Sequence, residues 1–81
     1  MGQGLKTLSS QQVVKIFEGF GFTIHSKEGS HIKLRRHIVS QTQTLIVPEK
    51  KELRDGTLRA IIRQAKAYIP ETELQLHFYN S

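Results

Sequence analysis

The chain has 81 residues, 12 Lys+Arg against 7 Asp+Glu for a formal charge of +5, and no cysteine; its pI is about 9.9. A chain this short folds around one core and has no room for a second. Its apolar content of 37% and charged content of 23% fit a globular domain rather than a disordered one. Without cysteine there is no disulfide framework, thiolate nucleophile or Cys-ligated zinc. No apolar run approaches the roughly 18–20 residues of a membrane span. The segment Met1-Gly2-Gln3-Gly4-Leu5-Lys6 has no apolar h-region, so a cytoplasmic protein without a secretory signal is expected.

Residues 1–8 read as a flexible N-terminal arm. Ser9 then caps a helix near 10–20, with Gln12 placed to close a capping box. Val13, Ile16, Phe17 and Phe20 recur at helical spacing, and Gly21 is placed to end the helix in a left-handed conformation. Phe22 to Ser26 and Ser30 to Arg35 alternate apolar and polar side chains, as half-buried strands do. A three-residue loop, Lys27-Glu28-Gly29, pairs Ile24 with Ile32 and Phe22 with Leu34 on one face. A two-residue loop at Glu28-Gly29 mixes the faces, so the longer loop is expected. The other face then carries Thr23, His25, His31, Lys33 and Arg35, with His25 across from His31.

Residues 36–43 contain no Gly or Pro, so the sequence does not place the next turn. Thr44 to Val47 form a third strand, stopped at Pro48. After a charged connector a second helix begins at about Thr57, burying Leu58, Ile61, Ile62 and Ala65. Pro70 suits the start of a further helix, with Glu71 and Glu73 in its first turn. Leu74 to Phe78 also alternates like a strand, so residues 70–81 are a C-terminal extension for which a short helix is favoured only slightly. The expected fold is α+β: an α-β-β-β-α two-layer sandwich with a three-stranded antiparallel sheet, both helices on one face and the other face wet.

The charge is concentrated. Residues 27 to 66 hold ten basic and four acidic side chains, whereas the rest of the chain nets −1. Such a field suits a polyanion, although a solvated basic surface is the simpler alternative. The histidines have no metal-ligand spacing, and there is no P-loop or GxGxxG. No metal or cofactor is expected. What remains is His31, in a basic strand after Gly29-Ser30. An imidazole exchanges protons near neutral pH. Lys33 and Arg35, two and four residues on, share its face and suit a phosphate. RNA supplies its own nucleophile in the 2′-hydroxyl. His25 is a possible second imidazole, and Lys27, Gly29, Ser30, Arg59 and Arg63 are candidate RNA contacts. Each of these also has a plain surface or turn reading.

At this point the sequence resembles a family. Gly29-Ser30-His31, then Leu45-Ile46-Val47-Pro48, then the run from Glu52 through Gly56-Thr57-Leu58-Arg59 to Gln64-Ala65 is similar to the HicA (YcfA-like) toxins, over residues 9–69. The resemblance implies a fold like the double-stranded RNA-binding domain and a metal-independent endoribonuclease acting on mRNA. It also implies a strand histidine, here His31, as catalytic residue and a HicB-type antitoxin as partner. The alternative is a non-catalytic RNA-binding or antitoxin-binding module of the same fold.

Overall fold

The computed structural model describes residues 4–80, in the order α1 (Ser10–Gly19), β1 (Thr23–Glu28), β2 (His31–Ile38), β3 (Gln41–Pro48), α2 (Asp55–Ala65) and α3 (Glu71–Phe78). The strands form an antiparallel meander with β2 central. Residues 1–3 of the expected arm, and Ser81 of the C-terminal extension, lie outside the described residues.

α1 begins and ends as its sequence dictates. The Ser9 hydroxyl accepts from the Gln12 N–H (3.2 Å), and the Gln12 side chain accepts from the Ser9 N–H (2.8 Å). At the other end Gly21 has φ +96°. Gly21 N–H donates to Glu18 O and Phe22 N–H to Phe17 O, the paired bonds of a Schellman stop. Val13, Val14 and Phe17 are buried, and Ile16 and Phe20 pack at the margin.

One face of the sheet supplies Ile32, Leu34, Leu45 and Val47 to the core, where they meet the α1 stripe and Leu58, Ile61, Ile62 and Ala65 of α2. Both helices therefore lie on that face, as expected. α2 starts two residues earlier than the sequence suggested, because Arg54 adopts an extended cap conformation and Asp55 enters the first turn. The C-terminal extension is helical. In a helix Leu74 and Phe78 share a face and are buried, and Leu76 is left 70% exposed. Phe78 stacks on Phe17, with ring centroids 5.6 Å apart.

Residues 4–8, expected to be a loose arm, are instead tied down. Lys6 N–H donates to Phe78 O and Asn80 N–H to Gly4 O, and Leu8 O accepts from Leu53 N–H. Leu8 is buried in the core. Ser10, also buried, places its hydroxyl between the Pro48 carbonyl (2.6 Å) and the Lys50 carbonyl (2.9 Å) and fastens the first turn of α1 to the end of β3.

Arg36 joins the layers at the far end of the sheet. Its side chain is on the helix face of β2, and its guanidinium donates to Gln43 Oε1 (2.7 Å), Phe20 O (2.8 Å) and Tyr68 O (3.2 Å). It also lies 4.8 Å from the centroid of the Phe22 ring. One planar, permanently charged fork thus holds the carbonyls that follow α1 and α2 against the neighbouring strand. Arg36→Ala is expected to lower the unfolding free energy by about 2–3 kcal/mol, since three charged hydrogen bonds go and the buried Gln43 oxygen loses its donor. Arg36→Lys should recover less than half of this, because an ammonium cannot span the three acceptors; urea unfolding of the variants measures both.

Candidate active site

The β1–β2 hairpin differs from the sequence expectation in its register. The turn is the two-residue Gly29-Ser30, with Glu28 opposite His31, Lys27 opposite Ile32 and Ser26 opposite Lys33. Gly29 has φ +59° and Ser30 stays negative, the φ pattern of a II′ hairpin turn with Gly first. An unbroken ladder from this turn would set Ile24 against Arg35. The structure avoids that conflict with a bulge at His25, after which Ile24 pairs with Leu34 and Thr23 with Arg35. The bulge absorbs one residue and turns Ile24 to the helix side of the sheet, where it stays 53% exposed beside Ile32 and Val14. The expected pairs Ile24–Ile32 and Phe22–Leu34 are therefore absent. Phe22 precedes the strand and is buried against Phe17, with ring centroids 6.0 Å apart.

His25 is not across from His31. It is the extra residue of the bulge and is exposed. The residue facing His31 is Glu28, which the three-residue loop had hidden inside the turn. Parity around the bulge was the only sequence signal that could have found it.

On the open face of the sheet, β2 presents His31, Lys33, Arg35 and His37 in a line. They pair across to Pro48, Ile46, Thr44 and Thr42 of β3. Successive members are about 6.6–6.8 Å apart along the strand. His31 is exposed, and Lys33 and Arg35 are half-buried by their neighbours. Ser26, Glu28, His31, Lys33 and Ile46 enclose a cleft of about 280 Å³ at the turn end of this face. The Arg35 Nε is buried without a hydrogen-bond partner. His37, which the sequence did not single out, bonds through Nδ1 to Thr42 Oγ1 at 3.2 Å.

The remaining candidates are elsewhere. Lys27 points to the helix side of the hairpin, where it forms an ion pair with Glu49 at 2.7 Å and lines a groove with Val14, Lys15 and Ile24. Arg59 and Arg63 are exposed on α2. Gln64 marks the side of α2 nearest β3, since its amide bonds the Ile46 N–H and C=O at 3.1 Å each. The two arginines lie roughly 100–140° round the helix from it, on an element that packs against the helix side of the sheet. Gly29 and Ser30 form the turn itself, braced where Ser30 O accepts from Glu49 N–H. Among the described residues no three His, Cys, Asp or Glu side chains gather as a metal site, and no helix is long and apolar enough to cross a membrane.

The face thus combines an exposed imidazole, a carboxylate opposite it and two cations on one strand, beside a cleft. A family model, HicA toxin of bacterial toxin-antitoxin, matches residues 10–67, a span that contains every residue of the cleft. No curated protein and no solved structure was found to match the chain.

The turn carries the register, and only glycine holds its first position without strain. Nothing lies within 4 Å of a Cβ built on Gly29, so Gly29→Ala meets a backbone cost alone. A loss of about 1–2 kcal/mol is expected, read as a lowered thermal midpoint. Gly19→Ala, at a helical glycine that is also sterically open, should instead be neutral or slightly stabilising.

Proposed function

The chain belongs to the HicA toxin family of bacterial toxin–antitoxin systems, and we propose that it acts as a metal-independent endoribonuclease on mRNA, with His31 as a proton-transfer residue. The observation that carries this reading is the open face of β2. His31 stands exposed at the mouth of the cleft, and Lys33 and Arg35 follow it on the same face.

RNA needs little from such a site. Its 2′-hydroxyl is the nucleophile, so the protein has only to move protons and steady the charge that develops on the phosphate. An imidazole at the cleft mouth serves the first need. Lys33 and Arg35 serve the second. The spacing of the β2 residues, about 6.6–6.8 Å, allows an extended strand to place successive phosphates along the row. Lys27, already paired with Glu49, and Arg59 and Arg63 on α2 are not part of this track. The proposed protein partner is a HicB-type antitoxin that covers the open face.

His31→Ala should abolish RNA cleavage in buffer containing EDTA while leaving the unfolding midpoint unchanged, because the side chain is exposed and outside the core. Retained cleavage in that variant would contradict the role given to His31. Lys33→Ala and Arg35→Ala should each weaken RNA binding and reduce the salt dependence of log K by about 0.7, the value for one phosphate contact on a single strand; filter binding at several salt concentrations measures it.

A further inference from the structure

We propose that Glu28 is the second proton-transfer residue of this cleft, acting as general base on the ribose 2′-hydroxyl while His31 acts as general acid on the leaving 5′-oxygen; the inference rests on the ribonuclease reading above. Its basis is the hairpin register. Glu28 and His31 face each other directly across the Gly29-Ser30 turn, which sets their Cβ atoms about 4.5–5.5 Å apart on one face of the sheet. Both line the same cleft, with Ser26, Lys33 and Ile46 completing it. Among the described residues neither is held in an ion pair, in contrast to Glu49 with Lys27 and Glu71 with Lys66.

The chemistry calls for two groups. As the O2′–P bond forms, the 2′-hydroxyl must give up its proton. As the P–O5′ bond breaks, the 5′-oxygen must receive one. The two oxygens lie on opposite sides of phosphorus in an in-line displacement, so acid and base must approach from two directions. A cross-strand pair sets two such side chains next to each other in the cleft, where a phosphate between them is within reach of both, whereas the bulged His25 does not face His31. A carboxylate can accept the first proton, and a protonated imidazole can donate the second. Glu28 takes the 2′ proton, His31 gives its proton to O5′, and the products are a 2′,3′-cyclic phosphate and a 5′-hydroxyl. Exchange with water restores both groups, and nothing is oxidised or reduced. The charged groups facing Glu28 are His31 and Lys33 of β2. The β3 residues beside them, Ile46 and Pro48, carry no charge, and Lys27 points to the other side of the sheet.

The test is single-turnover cleavage in EDTA by the wild type, Glu28→Gln, Glu28→Asp and His31→Ala. Each protein is given natural RNA and RNA carrying sulfur in place of the bridging 5′-oxygen at the bond the wild type cuts. Glu28→Gln should slow cleavage of natural RNA about 10²–10⁴-fold, the usual contribution of a general base, with little change in RNA affinity. It should also remove the acidic limb of the pH–rate profile, which Glu28→Asp should retain. A thiolate leaves without being protonated, so the sulfur substrate should rescue His31→Ala and not Glu28→Gln. If Glu28→Gln cleaves at the wild-type rate with its acidic limb intact, or is itself rescued by sulfur, the role of Glu28 is overturned. An inactive His31→Ala would then leave the ribonuclease reading standing. Wild-type protein that cuts neither substrate overturns both.

Discussion

The register of the first hairpin is the constraint on which the molecule depends. β2 is the central strand, so the side chains it sends to either face decide both what the helices bury and what the open face displays. A slip of one residue would put Lys33 and Arg35 into the core and expose Ile32 and Leu34. Two local devices hold the pairing. Gly29 takes the positive φ of a tight turn, and His25 is extruded so that Ile24 can return to the apolar side. Neither residue contributes to the core, yet together they set which β1 side chains face the cleft.

The remaining architecture keeps the helical layer closed over one face only. Arg36 ties the ends of α1 and α2 to the sheet at one extremity, and Ser10 fastens the start of α1 to the end of β3. α3 and residues 4–8 close the core through Leu8, Leu74 and Phe78. A domain this small buries only about 60% of the surface its unfolded chain exposes, and these polar clamps supplement a limited apolar core. With the helices committed to one side, the other face is free to carry His31, Lys33 and Arg35 in line without disturbing the packing. The division of labour explains how a cationic row and a stable fold share one strand.

Much of this was legible in the sequence, because helical spacing and strand alternation are strong local signals. The capping box at Ser9, the stop at Gly21 and the buried stripe of α2 follow directly from residue type and order. The pairing of β1 with β2 did not, since alternation constrains only the parity of a loop, and a bulge changes the parity within the strand. Placing the turn over Lys27-Glu28-Gly29 satisfied the apolar pattern with His25 opposite His31 and concealed Glu28. The turn at Val39-Ser40 was invisible for a related reason. Ser40 takes φ +68° without the Gly or Asn that usually marks such a position. Arg36 reads as one more surface cation in a basic strand, and its three carbonyl acceptors become apparent only in three dimensions. The helix at 71–78 was ambiguous because Leu74, Leu76 and Phe78 fit a strand as well; burial of the first and last alone resolves it.

The central claim is that an exposed strand imidazole transfers a proton while the RNA's own 2′-hydroxyl attacks the phosphate, without a metal. End-group analysis of RNA cut by the wild-type protein in EDTA tests it most directly. Fragments ending in a 2′,3′-cyclic phosphate, with 5′-hydroxyl groups on their downstream partners, are the predicted products. Fragments with 3′-hydroxyl and 5′-phosphate ends, or cutting that begins only when a divalent metal is added, would contradict it.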